Sequence, residues 1–262
     1  MPEMTSYIPG QFNWVDLSAH DMPAAVEFYG KLFGWECLEQ DTGGGPHYGI
    51  FELNGRQVGG IGQMADPMKA MGIPSTWNSY VNVENIETAA AKAVELGATM
   101  TVPVMKAVDA GWLAFLLDPA GASFALWQPD RHCGAQLVND PGSFCWNELA
   151  TPDVEQAKEF YAQLFGWEYA LNEQAPSTYY IIKNTGSDNG GIMQMTEEWE
   201  GVPPHWMVYF AVENADGCAT RVAELGGKVC VPPFDIPIGR IAVLNDVQGA
   251  TFSAFQFAST TE

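Results

Sequence analysis

Two carboxylates stand in matching surroundings, Asp16 in WVDL (residues 14–17) and Glu148 in WNEL (residues 146–149). In each, an indole precedes the acid by two positions and a leucine follows it. An extended chain puts residues two apart on one face, so Trp14 joins Asp16 and Trp146 joins Glu148. A carboxylate in such apolar company can serve as a general base or as the counter-charge of a cationic ligand, and these two are the candidate catalytic residues. The four histidines, His20, His47, His132 and His205, do not recur between the two segments. Three read as loop residues, while His205 has inward parity at the start of a strand and is a candidate for proton transfer. No GxSxG appears and no cysteine sits beside a repeated histidine, so nucleophilic triad chemistry is not indicated. Gly43–Gly45 and Gly59–Gly60 lack the GK[ST] or GxGxxG context of a phosphate loop and read as turn or close-approach positions.

The elements that must hold these carboxylates repeat along the chain. WVDLSAHDMPAAVEFYGKLFGWE (14–36) recurs as WNELATPDVEQAKEFYAQLFGWE (146–168), GGIGQM (59–64) as GGIMQM (190–195), WNSYVNVEN (77–85) as WMVYFAVEN (206–214), and DPAGASFALW (118–127) as DVQGATFSAF (246–255). The repeat predicts a first domain over 1–128, a polar linker over 129–142 and a second domain over 143–262, each burying its own core. A fainter repeat lies inside each half. Asp21 caps a helix whose apolar stripe (Ala25, Phe28, Tyr29, Leu32, Phe33) ends at Gly34, and Asn85 caps a second that ends at Gly97. Asp153 with Gly166 and Asn214 with Gly226 do the same in the other half. Strands before and after each helix, such as 47–53, 57–64, 112–117 and 123–128, complete a βαβββ unit, present four times. The predicted class is α+β, with cupped mixed sheets and the helices outside the cups.

Paired βαβββ units, the Asp cap, the FYxxLFGWE helix end and the DPxG turn resemble the vicinal oxygen chelate superfamily, which includes glyoxalase I, extradiol dioxygenases and bleomycin-resistance proteins. Within it the chain is most similar to two-domain, glyoxalase-like actinobacterial proteins. In metal-dependent relatives each cup takes one ligand from the first strand and one from the last strand of each of two units. Carried over, those positions fall on Trp14, Gly59, Asn78 and Ala125, and on Trp146, Gly190, Met207 and Ser253. None is His, Asp or Glu, so neither a metal nor another cofactor is expected.

If those positions point into the cups, their period-two neighbours do too. The candidate ligand-binding residues are then Trp14, Gln63, Asn78, Tyr80 and Trp127 in the first half, and Trp146, Gln194, Met207, Tyr209 and Phe255 in the second. Aromatic walls with a few polar groups suit a small-molecule pocket, although the same residues could fill the cup as core. Three functions stay open: metal-independent binding of a small, aromatic or cationic molecule; a lyase- or isomerase-type enzyme using Asp16 or Glu148; and an interaction protein with vestigial cups.

Composition narrows the partners. Eleven Lys and Arg against 32 Asp and Glu give a net charge of −21, which repels nucleic acid and anionic membrane. The five cysteines show no metal-like spacing and read as reduced thiols of a cytoplasmic protein. A small molecule is the expected partner, and the protein is expected to be a monomer or weak homodimer.

Overall fold

The computed structural model describes residues 3–175 and 177–258. The last four residues of the expected second domain, 259–262, therefore lie outside the described residues.

The first half runs β1 (Phe12–Ala19), α1 (Met22–Phe33), β2 (Glu36–Gln40), β3 (Tyr48–Leu53), β4 (Arg56–Gln63), a short α2 (Asp66–Ala70), β5 (Thr76–Asn82), α3 (Ile86–Glu95), β6 (Thr99–Ala107), β7 (Gly111–Leu117) and β8 (Ser123–Pro129). The second half runs β9 (Phe144–Thr151), α4 (Val154–Phe165), β10 (Glu168–Leu171), β11 (Tyr179–Asn184), β12 (Ser187–Gln194), β13 (His205–Ala211), α5 (Ala215–Glu224), β14 (Lys228–Ile236), β15 (Gly239–Asn245) and β16 (Thr251–Phe257). The helix boundaries follow from the predicted caps. Asp21, Asn85, Asp153 and Asn214 each accept from the backbone N–H three residues on, at 2.8–3.0 Å. Gly34 and Gly166 close α1 and α4 at φ 75° and 77°, where a side chain would be strained.

Each half forms one eight-stranded sheet, in the orders β2-β3-β4-β1-β5-β8-β7-β6 and β10-β11-β12-β9-β13-β16-β15-β14. The two central strands pair antiparallel, each has a parallel neighbour from its own unit, and the outer strands are antiparallel hairpins. Every cup is thus completed within one half.

The cores are not divided in the same way. The expectation that each half buries its own core is corrected here. The apolar backs of β1 and β5 (Val15, Leu17, Trp77) and α1 (Phe28, Tyr29) share one cluster with Val208, Phe210, Val222 and Phe252 of the other half. The back of β8 and α3 (Phe124, Leu126, Ile86, Ala90) share a second cluster with Leu149, Phe160, Tyr161 and Trp206. The repeated motifs are the pins of this arrangement. The Tyr29 hydroxyl donates to Asp246 across the halves at 3.2 Å, and Tyr161 donates to Asp118 at 3.0 Å. Each tyrosine in turn accepts an indole N–H, from Trp77 and Trp206, both at 2.9 Å. Trp35 donates to Gly142 O and Trp167 to Gly10 O, both at 2.8 Å. The FYxxLFGWE segments and the turns that begin at Asp118 and Asp246 therefore join one half to the other.

Candidate functional site

Strand register brings the predicted carboxylate to the floor of the first cup. Asp16 lies opposite Asn78 on β5 and beside Gly60 on β4. Asn78 donates to Asp16 Oδ1 at 2.8 Å and also to Ser18 Oγ at 3.0 Å. Asp16 Oδ2 accepts from Tyr80 at 2.7 Å and from Tyr48 at 3.3 Å, and the Tyr48 hydroxyl accepts from Trp14 Nε1 at 3.0 Å. Tyr48 can reach the acid only because residue 60 is glycine, since a Cβ there would stand 2.0 Å from the Tyr48 hydroxyl. Burial pushes the Asp16 carboxyl above its usual range, against the pull of its three donors. Burial and the neighbouring acid also push the hydroxyls of Tyr48 and Tyr80 upward.

The second cup repeats the device with fewer donors. Glu148 lies opposite Met207 and beside Gly191. It accepts from Tyr209 at 2.7 Å and also bonds the Tyr179 phenol, which accepts from Trp146 Nε1 at 2.9 Å. A Cβ at Gly191 would stand 2.0 Å from the Tyr179 hydroxyl. With Met207 in place of Asn78 there is no amide donor, and burial again raises the carboxyl.

The structure therefore brings Trp14, Asp16, Asn78, Tyr80 and Trp127 together in one cup, and Trp146, Glu148, Met207, Tyr209 and Phe255 in the other. Gln63 and Gln194 are corrections. β4 and β12 are phased one residue away from the sequence reading, with Gly60 and Gly191 rather than Gly59 and Gly190 on the cup face. Gln63 consequently faces the helix side, where its Oε1 accepts from Met22 N at 3.1 Å and its Nε2 donates to His20 O at 2.8 Å. Gln194 does the same for Val154 N (3.1 Å) and Pro152 O (2.6 Å). Both are helix N-terminal caps. His205 sits at the start of β13 with its Nδ1 2.9 Å from Pro203 O.

Tyr48, Tyr179 and His132 were missed. The two tyrosines recur at the same spacing before the GGI segments, a signal present in the sequence. His132 has no such signal. It leaves the end of β8 and lays its ring edge-on against Trp14 (centroids 4.4 Å apart) and Trp127 (5.6 Å), while Trp127 Nε1 donates to its carbonyl at 2.9 Å. The residue is half-buried, its Nε2 is closed off without a hydrogen-bond partner, and burial lowers its pKa to about 4. The first cup is accordingly shut. Trp14 and Asn78 are buried, Trp14 with 2% of its surface exposed, whereas their counterparts Trp146 and Met207 in the second cup are half-buried; Tyr48 and Tyr179 are half-buried alike. A depression of about 450 Å³ bounded by Pro152, Met195, Trp199 and Pro204 holds none of these carboxylates.

The glyoxalase/bleomycin resistance protein/dioxygenase superfamily model matches residues 11–126 and 143–253. The chain belongs to this superfamily. Its members similar to this chain include "Putative glyoxylase CFP32" of Mycobacterium tuberculosis, 41% identical over 98% of both chains. The anthracycline biosynthesis protein DnrV of Streptomyces peucetius is 31% identical over 97% of this chain and 95% of its own. Among solved superfamily structures, the Mn(II)-bound glyoxalase of Novosphingobium aromaticivorans shares the fold at a TM-score of 0.64, with 13% identity, over 95% of this chain and 82% of its own.

The metal that such relatives bind does not fit the residues present. Each cup floor offers one carboxylate, among indole, phenol, amide or thioether side chains and glycine. Both oxygens of Asp16 already accept hydrogen bonds from protein donors. Among the described residues no three His, Cys, Asp or Glu side chains gather to hold a cation.

Proposed function

We propose that this superfamily member binds a small aromatic molecule, uncharged or cationic, in its second cup and does so without a metal. The observation that carries the reading is the buried carboxylate of each cup, held by phenols under an indole rather than left for a cation to coordinate. The half-buried Trp146, Tyr179 and Met207 offer the second cup's walls to a flat ligand. The name of DnrV points the same way, since an anthracycline is a polycyclic aromatic compound. Each cup being complete in one half, a monomer suffices. Among the described residues no helix is long and apolar enough to cross a membrane. We assign the protein to a reducing cytoplasm on its five free thiols.

One observation favours a second reading, a metal-independent lyase or isomerase. Glu148 has fewer donors than Asp16, and its cup has the more exposed walls, so it is the better-placed general base of the two. Titration of the full chain with uncharged and cationic planar aromatics, read by tryptophan fluorescence, tests both readings. Binding that survives chelation, with Glu148→Gln weakening the cationic probe and sparing the uncharged one, is expected. Turnover lost in Glu148→Gln with binding intact would favour the enzyme. A stoichiometric metal in elemental analysis, lost together with binding on chelation, would refute the metal-free reading.

A further inference from the structure

The first half closes its cup with a strap, and the second half has a cavity beside the corresponding strand. After β8 the chain turns back along β1. Asn13 Nδ2 donates to Cys133 O at 2.9 Å, and Ala135 N donates to Asn13 O at 2.8 Å. Gly134 lies so tightly between these bonds that a Cβ would be 2.3 Å from the Asn13 carbonyl oxygen. This strap is what presses His132 onto Trp14 and Trp127.

Repeat and register transfer each strap contact to the second half. Cys145 precedes Trp146 as Asn13 precedes Trp14, and Phe257 faces Gly239 as Pro129 faces Gly111. Beside Cys145, Trp146 and Phe257 lies a cavity of about 540 Å³. Its opposite wall is the N-terminal segment, with Met4 and Tyr7. That wall is anchored, because Met4 N donates to Gln136 O at 2.9 Å and the Tyr7 hydroxyl to Ala135 O at 2.6 Å. The volume is within the ordinary range of small-ligand sites.

The lining decides the class of occupant. It brings five aromatic residues, Tyr7, Phe12, Phe144, Trp146 and half-exposed Phe257, and a methionine, surfaces that favour a flat, polarisable molecule. No Lys, Arg or His lines it, and its one carboxylate, Asp188, is already paired with Lys183. An anion would therefore enter without a counter-charge, and a cation would find its only carboxylate spent. Cys145 contributes a neutral thiol, since burial raises its pKa.

We infer that this cavity, walled by the N-terminal segment and the start of β9, is the binding site for an uncharged planar aromatic molecule. The inference rests on the proposed ligand-binding function, and it names a site beside the second cup and one class of ligand. Full-length protein is titrated with 2-(hydroxymethyl)anthraquinone and with anthraquinone-2-sulfonate, following tryptophan fluorescence. The uncharged probe should quench, and the sulfonate should bind about tenfold more weakly or worse. Phe257→Ala, at a half-exposed position that the fold does not require, should weaken the uncharged probe about tenfold, roughly the worth of one aromatic face. Phe257→Arg should bring the sulfonate to near parity, and His132→Asn should leave both affinities unchanged. Quenching indifferent to both Phe257 variants but weakened by Met207→Ala, a wall of the cup and not of this cavity, would overturn this site while leaving cup binding intact. No quenching by either probe would overturn the site and the aromatic reading together. Binding seen only after removal of residues 259–262 would overturn it too, by assigning the cavity to the chain's own terminus.

Discussion

His132 is held neutral by its surroundings, and that has a measurable cost in acid. Its folded-state pKa is about 4, against an unfolded value of 6.5. Between those limits the unfolded chain binds the proton and the folded chain does not, so stability falls as the pH drops through the window. The loss at pH 5 comes to about 2 kcal/mol, approaching about 3 kcal/mol near pH 4, and the residue's partial exposure lowers both figures. Attraction of an imidazolium to the two indoles opposes this, by about 1–2 kcal/mol at most. Closure of Nε2 without any partner argues that desolvation wins. The assay compares urea unfolding of the wild type and His132→Phe at pH 8 and pH 5, because the buried carboxylates contribute equally to both proteins. On going to pH 5 the wild type should lose about 1–2 kcal/mol relative to the variant. An NMR titration placing the His132 pKa at or above 6.5 would refute the reasoning, since the indoles would then be stabilising the cation.

Tyr29→Phe and Tyr161→Phe should each destabilise by about 2–3 kcal/mol, measured by chemical denaturation, because each strands an indole N–H and removes a donor from a buried aspartate. Gly60→Ala should displace Tyr48 from Asp16 and lower the melting temperature by several degrees, and Gly191→Ala should do likewise through Tyr179. Fragments 1–128 and 143–262 should each fail to show a cooperative thermal transition alone and should recover one on mixing, since both apolar clusters draw on both halves. Fragments that melt cooperatively in isolation would contradict the shared core.

The caps, the unit boundaries and the fourfold βαβββ repeat were legible because they are local: Asp21 and Gly34 act within a few residues of the helix they bound. The carboxylates and indoles were also legible, since Trp14 and Asp16, and Trp146 and Glu148, keep the same period-two spacing with Leu17 and Leu149 on the opposite face, although Asn147 breaks the apolar back of β9. β4 misled for a physical reason. GGIG and GGIM carry glycine at successive positions, so no side chain reports which face is which, and only pairing of Asp16 with Gly60 sets the phase. Gln63 followed that phase to the wrong side. The role of Tyr29 and Asp118 could not be read, because their partners lie in the opposite half and nothing in a local pattern records them. His132 escaped for want of a repeat, although among the described residues the strap that carries it is the main difference between the two cups.

That difference bears on how a buried acid persists in the floor of each cup. An ionised carboxylate in a closed sheet is costly unless donors meet it, and two phenols with an amide meet Asp16 while two phenols alone meet Glu148. The first network spends both carboxylate oxygens on its own protein and lies beneath a strap. It is a fixed feature of the core, and replacing Asp16 should act through folding. The second keeps the same glycine, tyrosine and tryptophan but puts a thioether where the amide stood, under partly exposed walls and next to a cavity. Duplication supplied two copies of one hydrogen-bonded floor. On the proposed reading, the linker covers one copy and the other is where Glu148 meets a ligand.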